Sequence, residues 1–211
     1  MPKTVLFEQS EWTRILYAVN PDGTVPSAGP AAEVAAFAER SLAPSRAFDP
    51  IKLDEGGLMS AEQFAVLSGW ADEMASRAQD VHGRGIINLS TEQKSTLREF
   101  GVIAALEKAG GVDFKPDFEA LLMYYRDAGR LPLHVDDQAE YRFNTLVNVR
   151  RVRPQSGTGT GTVFWVDRGP CSIDLDPGEA VLFDAHYTPH GRLPLSEGDE
   201  IVLLSLGFTP V

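Results

Sequence analysis

Between residues 112 and 211 the chain is cut into short runs rich in β-branched and aromatic residues, and this punctuation limits the folds open to it. The runs are FEALLMYY, LPLHV, FNTLVNVRRV, GTVFWV, CSIDL, AVLFDA and EIVLLSLGF. Between them stand RDAG, RPQSGTGTG, DRGP, DPGE and SEGD, in which glycine, proline and aspartate supply the dihedrals of tight turns. Seven or eight strands at this spacing must close on one another as a sandwich or barrel, because a lone hairpin buries too little apolar surface to persist in water. The GTGTGT segment lacks the lysine and the following helix of a phosphate-binding loop, and reads as a hairpin turn.

Upstream the texture is helical. AAEVAAFAERSLA (31–43) is alanine-rich and carries neither glycine nor proline. SAEQFAVLSGWADEMASRAQ opens with Ser60 and Gln63 at capping-box spacing. Within it Phe64, Leu67, Ala71 and Met74 recur at threes and fours, one apolar face for a core. STEQKSTLREFGVIAALEKAGG repeats the device with Ser90 and Gln93, and its helix is expected to run to Gly110-Gly111. Residues 1–30 hold a short strand, TVLF, and a Pro/Gly loop, NPDGTVPSAGP. The expected organisation is one integrated domain, with 1–111 as mainly helical support and pocket region and 112–211 as the β core.

Composition narrows the partners. A chain of 211 residues with 43% hydrophobic and 23% charged residues buries a sizeable core. A formal charge of −11 argues against nucleic acid and against an anionic membrane surface, both of which need basic residues, and leaves a small molecule as the expected partner. The single cysteine, Cys171, rules out an internal disulfide and fits a reducing, cytoplasmic compartment. MPKTVLFEQSEWTRILYAV carries acidic residues and no uninterrupted apolar core, so no signal peptide is expected there. No stretch reaches the ~20 apolar residues of a membrane span.

The chemistry concentrates in two segments. In RLPLHVDDQ, His134 and Asp136 stand two apart, so an extended strand projects an imidazole and a carboxylate from one face. In LFDAHYTPHGRLPL, His186 and His190 follow. Two histidines and one carboxylate on a single face hold Fe(II) while leaving positions open for substrate and oxygen. Alone, a His-x-Asp pair is an ordinary surface pair and a histidine in TPHG an ordinary turn residue. Three of the chain's four histidines, however, fall in these two segments. The fourth, His82 in QDVHGRG, stands at a helix end, where a solvent-facing cation favours the C-terminus.

From about residue 119 to 208 the chain resembles the iron(II)/2-oxoglutarate-dependent dioxygenases, in particular the prolyl-hydroxylase-like branch, with some likeness to the AlkB-type demethylases. MYYRDAGRLPLHVDD is similar to the family's Tyr-x-x-Gly run into His-x-Asp, and RFNTLVNV to the strand that follows. GTGTVFWV resembles its Gly/Thr-aromatic hairpin, IDLDPGEAVLFDAHYTPHG its Pro-x-x-Gly, Phe and distal histidine, and LPLSEGDEIVLLSLGF its closing strand. The resemblance implies an α+β fold with a double-stranded β-helix, or jelly-roll, core buttressed by the N-terminal helices. It further implies that His134, Asp136 and His190 are the catalytic metal ligands, with His186 beside them, and that Fe(II), 2-oxoglutarate and O2 are the cofactors. The activity implied is an oxidoreductase that hydroxylates, or otherwise oxidises, an unactivated C–H bond of a small molecule such as an amino acid or secondary metabolite. Asp136 favours this over halogenation, since halogenating relatives lack the carboxylate.

One position departs from the family. Nine or ten residues past the distal histidine, where the family sets an arginine or lysine for the far carboxylate of 2-oxoglutarate, this chain has Asp199 and Glu200. A carboxylate there repels the cosubstrate. The candidate replacements are, on an equal footing, Arg192, two residues beyond His190, and Arg150 on the strand after His-x-Asp, with Arg142 at that strand's start third. Tyr124 or Tyr125 could add a hydroxyl, and strand alternation lets only one face inward. Trp12, Trp70 and Trp165 are pocket or core aromatics, and NPDGTVPSAGP and GRGIINLS are candidate mobile pocket segments. Three other readings stand beside this one: an oxoacid-independent non-haem iron oxygenase, a cupin-type metal barrel without oxidative activity, and a non-catalytic binding protein. HVDDQAEYR lacks the extra closely spaced histidines of the cupin pattern.

Overall fold

Ser60 and Ser90 begin helices for the same reason: each pairs reciprocally with a glutamine three residues on. The Ser60 hydroxyl accepts from the Gln63 amide at 3.3 Å while the Gln63 side chain accepts from the Ser60 amide at 2.8 Å, and Ser90 with Gln93 does likewise. These caps start α1 (Ala61–Met74) and α2 (Thr91–Glu99). Helix α1 buries Leu67, Ala71 and Met74, and ends in a single 3-10 turn, Ala75–Arg77. The helix expected to continue from Ser90 to Gly110 is instead broken at Gly101, whose φ of 79° only glycine adopts without strain. A separate helix, α3 (Val102–Gly110), follows, so the apolar pattern spans two short helices.

The protein is described here by a computed structural model over residues 32, 46–81, 83–126, 129–136, 141–152, 161–166, 169–192 and 195–211. The strand TVLF, the NPDGTVPSAGP loop, the helix expected over 31–43, Trp12, His82 and most of GTGTGT lie outside the described residues. Among the described residues there are eleven strands: β1 (Ile51–Leu53), β2 (Gln79–Val81), β3 (Arg84–Asn88), β4 (Phe114–Arg126), β5 (Leu131–His134), β6 (Phe143–Val152), β7 (Thr162–Val166), β8 (Gly169–Ile173), β9 (Ala180–Asp184), β10 (His190–Arg192) and β11 (Glu200–Pro210). They form a seven-stranded sheet, β1-β9-β6-β11-β4-β3-β2, and a four-stranded sheet, β5-β10-β7-β8, with antiparallel pairing throughout. GRGIINLS, expected as a mobile segment, is strand β3, held to β4 through Ile86↔Met123 and Ile87↔Leu122. Strands β1 to β3 precede residue 112, so the large sheet draws on both sides of that boundary.

The large sheet is covered on both faces, which explains why EIVLLSLGF is almost continuously apolar rather than alternating. Val202, Leu204, Leu206 and Phe208 of β11 pack with β4 and the three helices in one core. Ile201 and Leu203, with Met123 and Tyr125 of β4, face the small sheet and its Phe164. Trp165 is fully buried and Trp70 packs half-buried against the helical core. No helix among the described residues is long and apolar enough to cross a membrane.

Two glycines, Gly69 within α1 and Gly101 between α2 and α3, make a paired test. Gly101→Ala should lower unfolding free energy by about 1 kcal/mol, because alanine pays for the left-handed conformation. Gly69→Ala, on the exposed side of α1 with no atom within 4 Å of a new methyl, should raise it by about 0.5–1 kcal/mol. Urea unfolding of both variants checks this, and shifts of the same sign would contradict the helix boundaries given above.

Candidate metal centre

Strands β5 and β10 are antiparallel neighbours with His134 directly opposite His190, so their side chains rise on one face and their ring centroids lie 4.3 Å apart. Asp136, two residues beyond His134, joins them, its backbone amide held by the Ala185 carbonyl at 3.1 Å. Asp136 Oδ1 is 3.3 Å from His134 Nε2 and 3.6 Å from His190 Nε2, and the three donor atoms lie within 4.8 Å of one another. Cis ligands on a metal about 2.1 Å from each sit about 3 Å apart, so a small closure brings these three onto one octahedral face.

Neighbouring groups orient the set. His190 Nδ1 lies 3.0 Å from the Thr188 carbonyl, which can only accept, so the proton stands on Nδ1 and Nε2 is left with its lone pair toward the other two ligands. The Ser205 hydroxyl donates to Asn144 Oδ1 at 3.0 Å, and Asn144 Nδ2 reaches Asp136 Oδ2 at 3.4 Å, leaving Oδ1 for the histidine side. Burial lowers the His190 pKa to about 4, helped by the nearby His134 charge. For Asp136, burial acts upward but is outweighed by the His190 and His134 charges and by hydrogen bonds from His134 and Asn144, which bring it to about 2. At neutral pH the pair is therefore a neutral imidazole and an ionised carboxylate, the forms that ligate a cation.

A cavity of about 90 Å³ opens from this triad, the liquid volume of about three waters. Met123, Leu146 and Leu203 give it apolar walls, while Tyr125, Thr162, Arg192 and Arg84 bring polar groups to it. Arg192 is buried, donates from Nη2 to Thr162 Oγ1 at 2.8 Å, and stacks its guanidinium 5.2 Å over the Tyr125 ring. Burial pushes its pKa down.

The other candidate cations go elsewhere. Regular alternation from Leu146 would aim Arg150 into the cavity. A bulge in the β6–β11 register between Val202 and Leu203 turns it instead to the helical face, where it pairs with Asp72 of α1 and with Glu200. Tyr124 likewise faces the helices, its hydroxyl donating to the Ala71 carbonyl at 2.8 Å, and Tyr125 takes the inward position. Arg142 forms a two-pronged ion pair with buried Asp184, between the Phe143 and Tyr187 rings, and does not line the cavity. Tyr124, Arg150 and Arg142, expected beside a cosubstrate, thus do not line this cavity. Glu200 is tied to Arg126 at 2.9 Å and to Arg150, so its charge is taken up on the helical face, and Asp199 is buried without lining the cavity. His186 is buried but stands outside the ligand cluster.

Sequence reasoning overlooked Asn144, Ser205, Thr162 and Arg84. Asn144 and Ser205 had a usable signal, each being a polar residue at an inward step of an apolar strand. Arg84 had none, because its segment read as a loop.

No protein-family model matches the chain, and no curated protein matches it. Solved structures do. A Pseudomonas putida prolyl-4-hydroxylase superposes with TM-score 0.60 at 13% identity, covering 83% of this chain and 98% of its own. A 2OG-Fe(II) oxygenase family oxidoreductase from Burkholderia pseudomallei gives TM-score 0.61 at 13% identity, covering 87% and 91%. The non-heme alpha ketoglutarate dependent epimerase SnoN from nogalamycin biosynthesis gives 0.57 at 14%, covering 86% and 82%. At these identities the likeness is one of fold: the chain has the jelly-roll architecture of the 2OG-Fe(II) oxygenase structures, the double-stranded β-helix that the family resemblance implied.

The buried imidazole makes stability depend on acid. Unfolded, His190 takes up a proton near its ordinary value of 6.5; folded, it resists until about 4, so the unfolded state binds more protons between these values. The metal-free protein should therefore lose stability as pH falls from about 6.5 to 4, with His190 contributing roughly 1 kcal/mol per pH unit. Urea unfolding of the wild type and His190→Asn across this range reads that contribution as a difference in slope. Equal slopes would contradict it.

Proposed function

We propose that the protein is a non-haem iron oxygenase that uses Fe(II), 2-oxoglutarate and O2 to hydroxylate, or otherwise oxidise, a C–H bond of a small molecule. The observation that carries this is the pairing, across one small cavity, of a two-histidine, one-carboxylate face with a buried guanidinium. Three protein donors leave half of an octahedron open, as a chelating oxoacid and oxygen require. Bound there, iron supplies the redox chemistry that protein side chains lack.

The chain's own residues do the rest. His134, Asp136 and His190 hold the metal, and Thr188, Asn144 and Ser205 fix the ligand orientations. Arg192 takes the distal carboxylate of 2-oxoglutarate, replacing the cation that Asp199 and Glu200 cannot provide; Thr162 and the Tyr125 ring keep its guanidinium in place. Met123, Leu146 and Leu203 keep the space between dry, which strengthens the charge pairing at either end. The fold accommodates more than one oxidative outcome, since a prolyl-4-hydroxylase and an epimerase both share it. The carboxylate at Asp136 supports oxidation of C–H bonds here.

The wild type should bind one Fe(II) per chain, and His134→Ala or His190→Ala should abolish stoichiometric binding. With iron present, Arg192→Gln should raise the KM for 2-oxoglutarate, read as succinate formed, by ten- to a hundredfold, the loss expected of a charge-assisted hydrogen bond. Arg150→Gln should leave it unchanged. Full iron occupancy in both histidine variants, or a larger effect at Arg150 than at Arg192, would contradict the assignment.

A further inference from the structure

Strand β3 brings a second guanidinium into the same cavity. Arg84 stands one residue before Gly85, which pairs with Tyr124, so its side chain shares the inward face with Tyr125. Its Nη1 approaches the Tyr125 hydroxyl at 3.4 Å, while its Nε is buried without a hydrogen-bond partner, and no carboxylate among the described residues pairs with it. Arg192 differs, being fastened to Thr162.

On the iron and 2-oxoglutarate reading, on which this inference rests, the cavity's charges can be counted. A divalent iron, the Asp136 carboxylate, dianionic 2-oxoglutarate and the Arg192 guanidinium cancel, with both histidines neutral. Arg84, half-buried at the wall of this cavity, then remains as one uncompensated cation, and an unpaired charge grows costly as a bound substrate displaces the water around it. A single further carboxylate removes that cost, and a planar fork with an unfilled N–H is the group that holds one well.

We propose that Arg84 binds the carboxylate of the organic substrate, so that the substrate class is small molecules bearing a free carboxylate, as α-amino acids do. Tyr125 positions the fork through Nη1, with the Arg84 side chain on the wall of the cavity that the acid enters. The same carboxylate chemistry could come instead from the distal end of 2-oxoglutarate, shared between Arg84 and Arg192 on either side of Tyr125, and the test separates the two sources.

Anaerobic calorimetry on the Fe(II)-loaded protein does so with two titrants. The first is 2-oxoglutarate, against wild type, Arg84→Gln, Arg84→Lys and Arg192→Gln. Arg84→Gln should leave the dissociation constant within about threefold, while Arg192→Gln raises it at least about tenfold. The second is a panel of α-amino acids and simple monocarboxylic acids, each beside its primary amide, added with and without 2-oxoglutarate. Wild type should bind at least one acid about tenfold or more tighter than its amide. Arg84→Gln should erase that preference and Arg84→Lys should restore part of it. Equal weakening of 2-oxoglutarate by the Arg84 and Arg192 substitutions would assign Arg84 to the cosubstrate and overturn the proposal. So would an acid preference that survives in Arg84→Gln, or a wild type with none. Wild type that binds no 2-oxoglutarate defeats the oxygenase reading instead, and the titrations without oxoacid still decide the role of Arg84.

Discussion

The antiparallel pairing of β5 with β10 is the constraint on which the site depends. It sets His134 directly opposite His190, and a slip of one residue would turn one imidazole to the other face of the sheet. Nothing local to either segment enforces that register, since β10 is three residues long. It is held from outside: β7 pairs with the other edge of β10 through Phe164↔His190, and the Ala185 carbonyl ties the Asp136 amide to the turn that leads into β10. Phe183 and Phe164 then pack against the His190 ring, so the hydrophobic core between the sheets and the candidate metal ligands are one body. A site assembled this way needs no metal to preform, because burial already selects the neutral imidazole at His190, while the neighbouring histidines and the Asn144 hydrogen bond keep Asp136 ionised against its own burial.

Much of this was legible in the sequence. β6 runs over the whole of FNTLVNVRRV, and β7 and β9 fall within GTVFWV and AVLFDA, because in these runs turn residues and apolar content agree on where a strand can begin and end. The two capping boxes were visible for the same reason, being local chemistry. His134 and Asp136 were legible because a spacing of two has one meaning in a strand. His190 needed the family resemblance, since nothing in TPHG itself says which histidine meets a distant strand.

What escaped was non-local. Arg150 and Arg192 are equally plausible as cations until the bulge opposite Val202 and Leu203 inverts the alternation of β6, and a bulge leaves no mark in the sequence. The break at Gly101 was visible as a glycine, but glycine inside a helical pattern is ambiguous until its φ is known. Strand β3 was hidden because Gly83 and Gly85 give it the texture of a loop; it becomes a strand only because β4 offers an edge to pair with. Asp199 and Glu200 illustrate the same limit from the other side. Their charges threatened an oxoacid on paper, yet Glu200 is taken up by Arg126 and Arg150 on the far face of the sheet. The protein is strongly acidic overall while the cavity beside His134, Asp136 and His190 is lined by two arginines, Arg84 and Arg192, and only the folded arrangement separates the two.

The central claim is that one cavity holds both Fe(II) and 2-oxoglutarate, the first on His134, Asp136 and His190 and the second reaching to Arg192. Its most direct test is an anaerobic titration of the Fe(II)-loaded wild type with 2-oxoglutarate, watched in the visible for the weak charge-transfer absorption of an iron-chelated oxoacid. A band that grows and saturates at one equivalent is the result expected. Iron that binds stoichiometrically while no band appears would contradict the claim, and would make the site that of an oxoacid-independent iron enzyme or of a metal barrel without oxidative activity.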